Sequence, residues 1–171
     1  MLGLTPLGTL HTAIGLIALV CVFWVLVRDK QISLQTGLGQ SYLLLTVLTA
    51  ASGLFIFERG GFGIPHALSI LTLLAIAAGA LVEKTRLLGG WSRYAQAFCY
   101  SATVLFHLIP GFVETLTRVP PGNPLAKAPE DPVLQPVLGT LLFLFLVGIT
   151  LQLRWLRATS TAVPGTQTVR G

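Results

Sequence analysis

The sequence predicts an all-α bundle of helices that cross a membrane. Three observations predict it. Apolar residues make up 53% of the 171-residue chain and charged residues only 10%, against about 25% charged in a soluble domain. Several stretches run roughly 18 residues or more without a charge, which at 1.5 Å per residue crosses hydrocarbon about 30 Å thick. The basic residues fall in short segments between those stretches. Only helices suit such spans, because open strands leave backbone groups unpaired in lipid.

Five spans follow, at about 7–27, 39–57, 65–82, 95–114 and 134–153, each near the length that a crossing helix needs. The first has no basic residue before it and no small-residue cleavage pattern after it, so it reads as a retained helix rather than a signal peptide. Arg28 and Lys30 close it in a short turn that ends near Leu38. Glu58 to Ile64 is a Gly-rich turn leading to Pro65, and proline is well placed in a first helical turn, where its missing N–H has no partner to lose. The segment from Arg118 to Pro132 holds five prolines in 15 residues and reads as a stiff, extended cap. From about Ala158 the chain turns small and polar, as a disordered tail does.

Basic residues give the orientation. Arg28, Lys30, Lys84, Arg86, Arg93, Arg154, Arg157 and Arg170 make eight on one side, whereas Arg59, Arg118 and Lys127 make three on the other. The side with eight is expected to be cytoplasmic, which puts the N-terminus outside. Trp24, Trp91 and Trp155 fall at the same predicted interface, as an aromatic belt does. The net charge of +5 is thereby explained by topology, and a nucleic-acid partner is not expected. The expected partners are the lipid bilayer and other membrane subunits. The two cysteines, Cys21 and Cys99, lie inside spans without CxxC spacing and read as small buried hydrophobes.

The chain has three histidines, and all are expected in the outer half. His11 lies about one turn into span one, His66 opens span three, and His107 lies about 10 Å inside the outer end of span four. Imidazole is expensive in a bilayer and seldom placed there without a task. Span four also carries Tyr100, Thr103, Glu114 and Arg118, at spacings that return to about one face. Glu114 and Arg118, four apart, are placed to pair. Small residues accompany the histidines: Gly8, Gly15 and Ala18 in span one, Ser69, Ala75 and Gly79 in span three.

Three readings of this constellation stay open. Neutral imidazole is the commonest ligand for transition metals, and two facing histidines hold haem iron. On that reading His11, His66 and His107 are metal or haem b ligands, with His11 and His107 foremost because they lie deeper. Glu114, Tyr100 and Thr103 then serve as proton or supporting partners, and Arg118 as a counter-charge or propionate partner. No helix carries two histidines, so at most one cofactor fits, and transmembrane electron transfer through this chain alone is not expected. The second reading is quinone or proton chemistry at His107 and Glu114, as in a quinone-interacting or permease-like protein. The third is structural: histidines that hydrogen-bond across helices in a non-catalytic subunit of a membrane complex. No nucleophile elbow, Walker loop, HExxH or EF-hand pattern is present.

The segment HTAIGLIALVCVFWVLVRDKQISLQTGLGQSYLLL resembles the opening of a family of uncharacterised bacterial multi-span membrane proteins. His11, Gly15, Lys30, Leu34, Gly39 and Tyr42 match its outline, whereas Gln35 stands where that family has a turn histidine. The likeness covers roughly the first 80 residues. It implies a bacterial inner-membrane location and no particular activity.

Overall fold

The structure, a computed structural model, describes residues 5–57 and 61–161. Glu58 and Arg59, and the tail beyond position 161, lie outside the described residues. Among the described residues five helices make up the fold: α1 (Pro6–Asp29), α2 (Gly37–Gly53), α3 (Ile64–Thr85), α4 (Ser92–Leu116) and α5 (Leu134–Thr161). A single 3-10 turn, Gly89–Trp91, leads into α4. Four of the helices, all but α2, are long and apolar enough to cross a membrane. The 17 residues of α2 fall short of that length.

Local chemistry sets the helix ends. Thr5 caps α1 by accepting the Gly8 N–H at 3.1 Å, and Pro6 takes the first position. Thr36 caps α2 in the same way, accepting from Gly39 N–H at 3.2 Å. Gly39 is required there, because a Cβ would collide with the Ser33 carbonyl. α1 and α3 end on Lys30 and Arg86, both in the left-handed conformation that usually selects glycine.

Consecutive helices pack side by side, α1 on α2, α2 on α3, α3 on α4 and α4 on α5. α4 is the central element, touching α1, α3 and α5 and burying the run from Tyr100 to Leu105. The core gathers Ala18, Val22 and Val25 of α1, Tyr42 and Leu43 of α2, and Tyr100 and Val104 of α4. The outward faces are apolar and exposed, with Val20, Val27, Leu44, Leu74, Phe143 and Leu151 among them. That pattern fits contact with lipid, where outward polarity would be costly.

Two ends of the bundle differ. One gathers the α1–α2 turn, the end of α3, the start of α4 and the end of α5; it carries most of the basic residues. The other gathers the start of α1, the end of α2 and the start of α3; it carries the histidines.

Two expectations need correction. The Pro-rich segment is folded back, not extended: Ala126 N–H donates to the Leu116 carbonyl at 2.9 Å, and Ala126 is fully buried. Proline forbids regular helix but permits turns, and Asp131 supplies the missing acceptors. Its carboxylate receives the N–H groups of Lys127 at 2.9 Å and Val133 at 3.1 Å. Those bonds hold its pKa below the ordinary carboxylate value. The second correction is that α5 runs to Thr161, past the expected start of a tail at 158.

Candidate functional site

At the histidine end, His11 of α1 bonds Ser52 of α2, and His107 of α4 faces Gly15 of α1. The tautomers follow from the hydrogen bonds. Ser52 Oγ donates to the Thr49 carbonyl at 2.9 Å, so it accepts from His11, whose Nδ1 lies 3.0 Å away. His107 Nδ1 faces the Thr103 carbonyl at 3.1 Å and must be the donor there. Both rings therefore carry their proton on Nδ1 and a lone pair on Nε2. The Nε2 atoms of His107 and His66 are both buried and without a hydrogen-bond partner among the described residues. A ring held by a backbone carbonyl at Nδ1 with Nε2 bare is the arrangement of a metal-ligating histidine.

Thr103 acts as the support beneath His107. Its hydroxyl donates to the Tyr100 carbonyl at 2.6 Å and accepts from Tyr42 O–H at 2.6 Å. Both Tyr42 and Thr103 are fully buried. The Tyr42 ring lies 6.4 Å from the His107 ring. Glycine lets these groups approach. A Cβ on Gly15 would meet Thr49 Cγ2 at 3.4 Å and His107 Cδ2 at 4.0 Å, and one on Gly53 would meet Ser69 Oγ at 2.8 Å and His11 Cε1 at 3.1 Å. The Glu114–Arg118 pair expected from spacing forms, with Nε to Oε2 at 2.7 Å.

His66 has local partners at the start of α3. Its Nδ1 accepts the Gly63 N–H at 3.2 Å, which closes the first turn of α3 and puts the ring proton on Nε2. Phe57 and Phe62 stack on it at 4.6 and 5.1 Å. A nitrogen that caps a helix and a protonated nitrogen leave no lone pair for a metal. Among the described residues no group of three or more His, Cys, Asp and Glu side chains is placed to hold a metal ion.

Tyr100 belongs to a different cluster. Its hydroxyl donates to Glu83 Oε2 at 2.9 Å. Glu83, at the end of α3, also accepts from Ser33 O–H at 2.6 Å and from Leu34 N–H at 3.0 Å. Gln96 Nε2 donates to the Ile32 carbonyl at 3.1 Å, and Gln152 Nε2 to the Lys30 carbonyl at 2.8 Å. Three helices thereby clasp the α1–α2 turn. Glu83 carries no motif that marks it in the sequence. Its signal was a carboxylate at a helix C-terminus, where the macrodipole disfavours it, so it needed donors from elsewhere.

No family model, curated protein or solved structure matches this chain. The reading of the site rests on its geometry.

Proposed function

We propose that this is a five-pass protein of the bacterial inner membrane, N-terminus outside, with one outer-half site at which His11 and His107 ligate a transition-metal ion or a haem iron. Its task would be redox chemistry or cofactor handling. The supporting observation is His107 Nε2, a buried lone pair without a partner among the described residues, on a ring oriented from its other nitrogen by Thr103. An unpaired buried acceptor is costly, and a cation is its natural partner. α2 extends from the basic end to the histidine end, which supports counting it as the fifth span. The resemblance of the first 80 residues supports the bacterial location.

The donor set is two neutral imidazoles, with the Glu114 carboxylate about two turns along α4 from His107. Nitrogen and oxygen ligands suit zinc, copper, nickel or iron better than soft ions. The faces at Gly15 and Gly53 are occupied by Thr49, His107, Ser69 and His11. A porphyrin would have to part these helices, so the packing favours a bare ion. Glu114 would supply charge or move a proton, and Arg118 holds its carboxylate in place.

The test is the metal content and visible spectrum of the protein purified in detergent. One equivalent of a transition metal, lost in His11→Ala and His107→Ala, is the expected result. A Soret band lost in the same variants would make haem iron the bound form. A colourless, metal-free protein that also fails to bind added copper or zinc would overturn the proposal. If it then co-purified with a fixed membrane partner, the structural-subunit reading would take its place. The outward apolar surface of α5, which packs chiefly on α4, is what favours that second reading.

A further inference from the structure

The basic end carries six exposed cationic side chains: Arg28, Lys30, Lys84, Arg86, Arg154 and Arg157. Opposing charge at that end is small. Asp29 is paired with Arg28 at 2.7 Å, and Glu83 is buried and spent on three donors. Arg93 donates to Ser160 Oγ at 2.7 Å. Trp24, Trp91 and Trp155 are 63%, 74% and 40% exposed, and they flank the cations. Amphipathic indole rings at that level mark the depth of lipid headgroups.

Two of the six cations occupy backbone positions where a basic residue is conformationally unfavourable. Lys30 has φ 60° and Arg86 has φ 52°, the left-handed region in which a Cβ is strained and glycine is the usual choice. These conformations are fixed by the fold. Gln152 Nε2 holds the Lys30 carbonyl at 2.8 Å, and Ser101 in turn holds Gln152 Oε1 at 2.8 Å. Arg86 N–H bonds the Val82 carbonyl at 3.1 Å, and the Arg86 carbonyl accepts from Gly89 at 2.8 Å. A basic residue kept where glycine would relieve strain points to a use for its charge beyond the fold.

We propose that this end is a docking collar for anionic phospholipid headgroups of the adjoining leaflet, with Lys30 and Arg86 as its two rigidly placed contacts. Their backbone is locked by the clasp on one side and the 3-10 turn on the other, so less freedom is lost when a phosphate is met. The helix C-termini beneath them carry partial negative charge, which holds the cations near, and among the described residues no salt bridge neutralises Lys30 or Arg86. The other exposed cations add unspecific attraction, weakened by salt over about 8 Å at physiological strength.

The test uses the full-length protein in nanodiscs of phosphatidylcholine with a graded fraction of phosphatidylglycerol, comparing wild type with Lys30→Gly/Arg86→Gly. A basic residue at a lipid surface changes affinity about fivefold, so each of the two contacts should lose about fivefold in its preference for phosphatidylglycerol over phosphatidylcholine. In pure phosphatidylcholine the same variant should unfold at an equal or higher temperature, because glycine relieves the left-handed strain. Two opposite signs in one variant would be hard to obtain from misfolding. Unchanged enrichment would overturn the proposal. So would a lower unfolding temperature in phosphatidylcholine, which would show that the side chains serve the fold. Competition by millimolar inorganic phosphate would also overturn it, by pointing to a soluble anion as the occupant. Arg154→Gln/Arg157→Gln, at unstrained helical positions, should lower enrichment less than the glycine pair.

Discussion

Replacing Gly79 by alanine tests the packing of α3 on α4, on which the clasp at the basic end depends. Gly79 is buried, and a Cβ there would lie 2.5 Å from Tyr100 Cε1, 2.8 Å from Cδ1 and 3.1 Å from Cζ. The obstacle is a ring, not the loose end of a flexible chain. Tyr100 is fully buried, and its hydroxyl is tied to Glu83 at 2.9 Å. The ring therefore yields only by moving off Glu83 or by pushing the helices apart. Overpacking costs about 1–3 kcal/mol. Losing a hydrogen bond to a charged group costs about 1.5–3 kcal/mol. Alanine returns about 1 kcal/mol of helix propensity over glycine. With both costs incurred, the expected net loss is about 1.5–5 kcal/mol. The assay is reversible unfolding in mixed micelles, with Gly148→Ala as the control. Gly148 is exposed on α5, and a Cβ there meets nothing within 4 Å, so the control should be neutral or stabilising by up to about 1 kcal/mol. Equal stability of the two variants would refute the close α3–α4 approach.

Glu83→Gln places an amide N–H₂ among three donors, Ser33 O–H, Leu34 N–H and Tyr100 O–H. A loss of about 1.5–3 kcal/mol is expected, with faster proteolytic nicking between Lys30 and Leu38; unchanged nicking would show that the turn is held by something else. Asp131 gives a pH dependence whose sign is set by its lowered pKa. Its two backbone bonds stabilise the loop above the ordinary carboxylate value of 3.8, and that stabilisation is lost as pH falls through its lower folded value. Hydrogen exchange at the Lys127 and Val133 amides should accelerate in that acid range in the wild type. Asp131→Asn should show little change there, since it has no carboxylate to protonate.

Much of the fold was legible because lipid imposes a simple rule. Uncharged runs of sufficient length set the helix positions, and the Glu114–Arg118 pair followed from a spacing of four. The expectation that His11 and His107 share a site came from their common depth. Their tautomers were not, since these depend on Ser52 and on the Thr103 carbonyl, groups whose positions only the packed helices reveal. The local bond of His66 was not legible in the sequence: an imidazole at the third position of a helix can bond its own N-cap, and that task competes with ligation. Tyr100 was assigned to the histidines by its helical face. The long phenol ring instead reaches one helix over to Glu83, a contact 17 positions away in sequence that periodicity along α4 does not encode. Polar residues of the α1–α2 turn looked like ordinary solvated loop, because their partners on α3, α4 and α5 come together only in the tertiary structure.

The nitrogen coordination of one equivalent of copper(II), added to the metal-depleted protein and read from ligand hyperfine couplings, bears most directly on the imidazole pair. Two coupled imidazole nitrogens are expected in the wild type and in His66→Ala, and one in either His11→Ala or His107→Ala. A spectrum without nitrogen coupling, or one that neither single variant alters, would contradict the assignment of these two rings to a shared metal.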